Sequence, residues 1–249
     1  MAASTTEQES LAVTVQRLKW QAVEDLREVT KRMSNHLVGK LMKLAFDAFC
    51  EKELEGDRGE LALSLMTRFR PCLDEKKMNV AKVRKSRIHG LGLFSTREIS
   101  KGELITFYPA HYAIRYGEQR PDGKYTVQAS CALCTRDKCL REHITSNKYA
   151  LEIKSEHGRY TIYGDPEFSN DAMYLGHFIN DGAKPGDSTK SKLLYELVSL
   201  EKQNCAFVNL EGFASVVVAM QDVPAGAEFF VHYGTSYWET LHIDNTFSC

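Results

Sequence analysis

The sequence predicts an α+β protein, in which a β-rich domain of small sheets follows an α-helical N-terminal appendage. Apolar residues recur at steps of three and four through about the first fifty positions, which is the spacing of one helix face. From Val80 onward, short β-branched and aromatic runs are divided by Gly, Pro, Asn and Asp, as is typical of strands and turns. The 249 residues suit one compact domain with an appendage.

The N-terminal region, residues 1–78, is predicted to be helical. Thr6 and Glu9 have the spacing of a capping box, which predicts a helix start. The apolar stripe that follows comprises Leu11, Val15, Leu18, Ala22, Leu26, Val29, Met33, Leu37, Leu41, Leu44 and Ala48. It lies on one helix, or on two helices broken near Ser34-Asn35. A packing or dimerisation surface is the favoured role for this region, and recruitment of a partner is the alternative.

The β-rich domain is predicted over residues 79–240, with a tail at residues 241–249. Its expected strands are Ala81–Lys85, Gly92–Thr96, Glu103–Tyr108, Tyr149–Ile153, Tyr160–Tyr163, Ala206–Leu210, Phe213–Ala219 and Glu228–His232. The segment KPGDSTKS, residues 184–191, is rich in turn-forming residues and is predicted to be a mobile loop.

Composition excludes several classes of function. The net charge is −1, so no overall field draws the chain to nucleic acid or to an anionic membrane, and no direct nucleic-acid signature is present. No apolar run reaches the roughly 20 residues of a membrane span, and the N-terminus lacks the pattern of a secretory signal. We therefore expect an intracellular protein, nuclear or cytoplasmic, whose seven cysteines are thiols or metal ligands.

Three segments, in this order, resemble the SET-domain protein lysine methyltransferases. They are HGLGLFSTREISKGELI at 89–105, LGHFIND at 175–181 with the later Asn204-Cys205, and EFFVHYGTSYW at 228–238. The resemblance covers roughly residues 80 to 240. It implies a SET domain of small sheets with a pseudoknot, in which the last strand passes beneath the Asn motif, and a variable insert at about 110–148.

The resemblance implies S-adenosylmethionine as the methyl donor. The positions that it assigns to cofactor binding are Gly90, Leu91, Gly92, His177, Asn180, Asp181 and Tyr233. Asp181 stands where the family has histidine, and His177 stands where arginine is common. A main-chain contact to adenine survives the change to aspartate, whereas a side-chain contact does not. Without the other motifs, Gly90-Leu91-Gly92 would also fit a plain β-turn.

Tyr233 is the predicted catalytic residue, by resemblance, and Tyr108, Tyr237 and Trp238 are predicted to line a substrate channel. A core tyrosine is the alternative for Tyr108, and cover of the adenine or simple C-terminal packing is the alternative for Tyr237 and Trp238. Methyl transfer to an amine is a direct displacement, which needs alignment more than a strong base. Lysine has a pKa of roughly 10.4, and burial in an apolar channel lowers the cost of deprotonating it. Val231, where the family often has Phe or Tyr, leaves the number of methyl groups open.

Four further residues have the spacing of a metal site. Cys131, Cys134, Cys139 and His143 form Cys-x2-Cys-x4-Cys-x3-His, which fits tetrahedral zinc. The order of Cys and His does not match a zinc knuckle, and free surface cysteines are the alternative.

The expected activity is that of a protein-lysine N-methyltransferase, with a histone as one candidate substrate. A SET-like interaction module that has lost catalysis is the main alternative, because the Asn motif departs from the family. A zinc-stabilised adaptor is the third hypothesis.

Overall fold

The computed structural model describes residues 2–33, 78–119, 125–131, 149–155, 158–186, 188–210 and 214–239. The two longer helices in these ranges are α1 (Ala2–Met33) and α2 (Thr189–Lys202). The strands are β1 (Ala81–Lys85), β2 (Leu91–Ser95), β3 (Leu104–Tyr108), β4 (Tyr112–Gln119), β5 (Tyr125–Cys131), β6 (Ala150–Ser155), β7 (Gly158–Tyr163), β8 (Asn180–Asp181), β9 (Cys205–Leu210), β10 (Ala214–Ala219) and β11 (Phe230–Val231). The predicted α+β class with an N-terminal helix is confirmed.

Helix α1 packs against the β-rich domain through the predicted apolar stripe. Val15 and Val29 are buried, while Val13 and Trp20, off the stripe, are 71% and 59% exposed. The helix begins at Ala2, so Thr6 lies inside it and is not its N-cap. Alanine has the highest helix propensity, which favours extension of the helix through Ala2 and Ala3. The predicted stripe beyond Met33 lies outside the described residues.

Ionic contacts also join α1 to the domain. Lys101, in the turn between β2 and β3, has its Nζ 2.9 Å from Glu28 Oε2 and 3.5 Å from Asp25 Oδ1. The neighbouring contact, between Lys19 Nζ and Glu196 Oε2, is 2.7 Å long and joins α1 to α2. The appendage is therefore held to the domain at two places.

Four small sheets make up the rest of the described structure. β1 pairs with β2, and β10 lies between β3 and β9. The largest sheet has the order β5-β4-β7-β6, and β8 pairs with β11. All these pairings are antiparallel except β8 with β11. A buried core formed mainly by β2, β3, β9, β10 and the 3₁₀ turn Gly176–Phe178 lies between the sheets.

Two parts of the fold were not expected from the sequence. Strands β4 and β5 lie in the stretch 110–148, and β4 contains Gly117 and several polar residues that weaken its β-propensity. Helix α2 begins at Thr189, so the end of the predicted loop 184–191 is helical. Ser188 caps the helix by accepting a hydrogen bond from the Ser191 N–H.

The C-terminal segment lies between the two halves of the Asn motif. On one side, β11 pairs in parallel with β8, and Phe230 is opposite Asn180. On the other side, the Asn204 side chain donates to the Glu228 carbonyl and accepts from the Phe230 N–H, each at 2.8 Å. Because α2 and its flanking loops connect those two sides, the C-terminal segment runs beneath that connection. This is the pseudoknot topology that the sequence predicts, an exception to the rule against threaded loops.

Candidate active site

Asn180 ties the glycine turn to the C-terminal segment. Its Nδ2 donates to the carbonyl of His89 at 3.2 Å, to the carbonyl of Leu91 at 3.0 Å and to Glu228 Oε1 at 3.0 Å. The two carbonyls lie 91 and 89 positions before Asn180 in the chain, and Glu228 lies 48 positions after it. Asn180 is therefore structurally more than the turn residue that its local sequence would suggest.

Gly92 leaves no room for a side chain. A Cβ on Gly92 would lie 2.1 Å from Glu228 Oε1 and 3.0 Å from Asn180 Nδ2. The other oxygen of Glu228 accepts from Ser86 Oγ at 3.1 Å, so the carboxylate is held on both sides. Gly90 has a φ of +37°, in the left-handed region that favours glycine. Close approach and turn geometry thus both require glycine here.

Asp181 directs its buried carboxylate into the protein. Oδ2 accepts from Tyr195 Oη at 2.6 Å and from the Tyr233 N–H at 3.1 Å. Oδ1 accepts from the Ser199 hydroxyl and from the Ala183 N–H. With both oxygens engaged by protein donors, the side chain of Asp181 supports the site from within. A contact from Asp181 to adenine would have to come from its main chain.

Tyr233 is fixed at both ends. Its N–H is held by Asp181, and its hydroxyl donates to the carbonyl of Ile179. The ring of Tyr237 lies 4.5 Å from that of Tyr233, and the ring of Trp238 lies 6.1 Å away. Burial raises the pKa of Tyr233 well above its usual value, and neighbouring tyrosines add to the effect. Tyr233 is therefore a neutral phenol near neutral pH.

Tyrosines from three segments lie near Tyr233. The ring of Tyr237 packs on that of Tyr233, and Tyr108 and Tyr149 are near enough to add to the rise in the pKa of Tyr233. Burial raises the pKa of Tyr108 well above its usual value, raises that of Tyr149, and raises that of Tyr237 to about 12. The structure thus brings the predicted channel residues Tyr108 and Tyr237 close to Tyr233. It adds Tyr149, directly before β6, which the sequence did not indicate as a site residue.

His177 lies next to two of these tyrosines, Tyr108 and Tyr149. Its ring is 6.4 Å from that of Tyr108 and 5.9 Å from that of Tyr149, and its Nε2 is 3.1 Å from the Asp165 carbonyl. Burial lowers the pKa of His177 to about 3, so the ring is neutral. This is a clear difference from an arginine, which would carry a charge into the same place. The cofactor role of His177 stays a prediction.

The surface around the glycine turn has features that fit a bound adenosyl sulfonium. His89 Nε2 is buried and has no hydrogen-bond partner. The ring of His89 lies 5.5 Å from that of Trp238, and Lys184 Nζ lies 5.8 Å from the same indole. An unpartnered imidazole nitrogen, an aromatic face and close-packed glycine backbone suit a ligand with a polar heterocycle, and the cation over the indole is the Lys184 ammonium. Trp238 therefore lies beside the predicted cofactor turn as well as beside Tyr233.

The predicted zinc ligands cannot be compared with the fold. Cys134, Cys139 and His143 lie outside the described residues, and Cys131 is described only as the last residue of β5. Elsewhere, within the ranges that the structure describes, no group of three His, Cys, Asp or Glu side chains is arranged to hold a metal ion. Zinc at these four positions stays a prediction.

The family model for the SET domain matches residues 90–234 of the chain, which is more than half of it. The chain belongs to the SET-domain family. The resemblance seen in the three motifs is thereby confirmed, and the fold is of the type found in protein lysine methyltransferases. Such enzymes typically use S-adenosylmethionine. No curated protein matches the sequence significantly. No helix among the described residues is long and apolar enough to cross a membrane.

The residues that sequence reasoning missed reach the site from elements distant in the chain. Tyr149 lies directly before β6, and Tyr195 and Ser199 lie on α2. A local signal existed only for Tyr149, as an aromatic residue at the start of a predicted strand. Tyr195 and Ser199 gave no such signal, because their importance depends on contact with Asp181.

Proposed function

We propose that this protein transfers a methyl group from S-adenosylmethionine to the ε-amine of a protein lysine. The observation that carries the proposal is the position of Tyr233. Its hydroxyl is fixed on the Ile179 carbonyl, one residue before the Asn180 that ties down the glycine turn. A hydroxyl held next to a cofactor turn and inside a group of tyrosines is suited to align two reactants.

The residues proposed to hold the cofactor are the main chain of Gly90–Gly92, with Asn180 keeping the turn in shape, and the side chains of His89 and Trp238. When bound, S-adenosylmethionine supplies a methyl group made electrophilic by the sulfonium.

The tyrosines are proposed to orient the substrate amine rather than to deprotonate it. The pKa values of Tyr233, Tyr108 and Tyr149 are all raised by burial, so none of the three is a phenolate near neutral pH. Neutral hydroxyls accept a hydrogen bond from an amine and present their lone pairs to it. Burial of the lysine side chain among these rings disfavours the ammonium form, which lowers the cost of losing its proton to water.

The second candidate function is that of a SET-like interaction module without catalysis. It is favoured by Asp181, which replaces the family's histidine. Against it stand Tyr233 and the glycine turn, which are held in place by specific hydrogen bonds.

Three further proposals follow from the family and from α1. We propose a lysine-containing protein as the partner, with histone tails as the first substrates to test, and a nuclear or cytoplasmic location. Exposed Val13 and Trp20 on α1 are consistent with a role of the N-terminal region in dimerisation or recruitment.

The decisive experiment has two steps. Calorimetry should detect S-adenosylmethionine binding to the purified protein, and absence of binding at millimolar cofactor would contradict an enzyme. Labelled cofactor should then transfer its methyl group to lysine in a panel of histone and non-histone proteins. Binding without transfer across a broad panel would favour the interaction module.

A further inference from the structure

We propose that Asp181 is a positioning residue for Tyr233, and that helix α2 serves to hold the Asp181 carboxylate in place. This role depends on the function proposed above for the site. Asp181 occupies the position where the family has histidine, and α2 lies in the unusually long connection between Asn180 and Asn204. The two departures from the family pattern meet at one carboxylate.

Asp181 holds a part of the backbone that has no partner in a sheet. Strand β11 ends at Val231, and residues 232–234 have no regular secondary structure. The Tyr233 N–H is satisfied by Asp181 Oδ2 at 3.1 Å instead. A backbone N–H must be paired when it is buried, and a carboxylate forms a stronger hydrogen bond than a neutral acceptor. Asp181 thus fixes the backbone position of Tyr233, and with it the position of the ring.

Helix α2 supplies the donors that fix the carboxylate. Tyr195 and Ser199 are four residues apart and therefore lie on one face of the helix. Tyr195 Oη lies 2.6 Å from Asp181 Oδ2, and the Ser199 hydroxyl bonds Oδ1. Tyr195 Oη also accepts from Trp238 Nε1 at 3.1 Å. The same face of α2 therefore also fixes the aromatic residue next to Tyr233.

The contacts continue from Asp181 to helix α1. Ser199 Oγ lies 2.8 Å from His232 Nδ1, and His232 Nε2 lies 3.1 Å from Glu196 Oε2. The same Glu196 oxygen contacts Lys19 Nζ on α1. The contact of Glu196 with Lys19 is an ion pair, whereas burial lowers the pKa of His232 and so favours a neutral ring beside the Glu196 carboxylate. His232 directly precedes Tyr233 in the chain. Helix α2 therefore supports Tyr233 in two ways: through the contact of Ser199 with His232, and through Asp181, which holds the Tyr233 N–H.

The test compares three variants that weaken the hydrogen bonds of the Asp181 carboxylate with one that weakens helix α2 at its N-terminus. Tyr195→Phe and Ser199→Ala each remove one donor to the carboxylate, and Asp181→Asn removes its charge. Ser188→Ala removes the N-cap of α2 and leaves every contact of Asp181 in place. We expect the first three to lower kcat at least tenfold. Ser199→Ala, which leaves both bonds of the Trp238 Nε1–H in place, should also keep the Kd for S-adenosylmethionine within about threefold. Ser188→Ala should keep kcat within about twofold.

A second measurement does not require turnover. Hydrogen exchange at the Tyr233 amide, followed by NMR in the presence of S-adenosylmethionine, reports the bond to Asp181 directly. We expect exchange to accelerate about tenfold in Tyr195→Phe and Asp181→Asn, and by less than twofold in Ser188→Ala. An unchanged exchange rate in Asp181→Asn, or a kcat equally low in Ser188→Ala, would overturn the positioning role.

The two readouts separate this role from the proposed function. If wild-type protein binds the cofactor but methylates nothing, the proposed function is overturned, while amide exchange still decides whether Asp181 holds the Tyr233 N–H. If wild-type protein methylates lysine while Tyr195→Phe retains full kcat, only the positioning role is overturned. Tyr195→Phe retains the ring, so it remains informative if Asp181→Asn fails to fold.

Discussion

At the scale of single residues, the site depends on side chains that hold main-chain segments together. Asn180 and Asp181 are adjacent in sequence but have different tasks. The Asn180 side chain donates hydrogen bonds to the carbonyls of the glycine turn, whereas the Asp181 carboxylate accepts a hydrogen bond from the N–H of Tyr233. The two residues thus join the proposed cofactor side of the site to its catalytic side within one two-residue strand.

Gly92→Ala tests the cofactor side. The new methyl group would lie 2.1 Å from Glu228 Oε1, so Glu228 or the turn must shift. We expect the Kd for S-adenosylmethionine to rise at least tenfold in calorimetry. Gly102→Ala is the control: it has open space but a φ of +86°, so it should cost about 1 kcal/mol of stability and leave the Kd unchanged. Equal affinity of both variants would rule out the proposed place of the cofactor.

The predictability of the site also differs from residue to residue. Gly90, Gly92 and Tyr233 lie in short segments whose chemistry is visible locally, as glycines at a turn and an aromatic residue after a strand. The network around Asp181 is not visible in this way, because Tyr195, Ser199 and Tyr233 lie 14, 18 and 52 positions along the chain. Contacts of that range depend on the completed fold.

At the scale of secondary-structure elements, α2 shows why hydrophobic patterning can fail. Its buried residues are Tyr195, Glu196 and Ser199, while Leu194 is 43% exposed. The helix therefore buries a polar face, and the period of its apolar residues does not indicate the buried side. In α1 the buried stripe is apolar, and the same reasoning located it correctly.

The junction of α1 and α2 yields a prediction about stability. Glu196 has a side chain only 7% exposed, and Lys19 is its contact on α1. Lys19→Ala leaves that carboxylate without its lysine, and we expect a loss of about 1–2 kcal/mol because Lys19 itself is partly solvated. Urea denaturation measures the loss.

A matched control lies on the same helix. Arg27 forms an exposed pair with Glu24, in which the side chains are 68% and 58% exposed. Arg27→Ala should change stability by less than about 0.5 kcal/mol. If the two substitutions have the same effect, the contact between α1 and α2 does not anchor the appendage.

At the scale of the whole molecule, the described histidines make stability depend on pH. The pKa values of His89, His111, His177 and His232 are all lowered, each mainly by burial. Folding therefore favours the neutral rings, whereas the unfolded chain takes up protons near pH 6.5. Stability is full above pH 6.5 and is lost as the pH falls toward the folded pKa, which is about 3 for His177.

The expected effect is large enough to measure. His177 alone should reduce the unfolding free energy by about 2 kcal/mol between pH 6.5 and pH 5, since each pH unit below 6.5 costs about 1.4 kcal/mol. Denaturation curves for wild type and His177→Gln at several pH values check this. Between pH 6.5 and pH 5, the unfolding free energy of the variant should depend less steeply on pH, by the equivalent of about one proton. An unchanged dependence on pH would mean that His177 is not the responsible group.

The overall architecture was predictable because its signals are local and repeated. Short strands between turn residues indicated small sheets, and the three motifs in order indicated a pseudoknot. The strands β4 and β5 were not predictable in the same way, since Gly117 and polar residues interrupt the alternation of β4. The pairing of β4 with β7 and β5 stabilises what the local sequence does not favour.

The central claim is that Tyr233 aligns the reactants in a lysine methyltransferase. Tyr233→Phe removes one hydroxyl, which donates to the Ile179 carbonyl, and keeps the ring. Stability should fall by only about 1 kcal/mol. Tyr112→Phe, which loses a buried bond from its hydroxyl to Asp165 outside the site, should cost a similar amount and is the control.

The most direct measurement is therefore the rate of methyl transfer from labelled S-adenosylmethionine to lysine, for wild type and both variants, with thermal stability recorded on the same preparations. We predict a fall in kcat of roughly a hundredfold for Tyr233→Phe and a change of less than about twofold for Tyr112→Phe. A Tyr233→Phe variant that keeps the wild-type rate would contradict the role assigned to Tyr233.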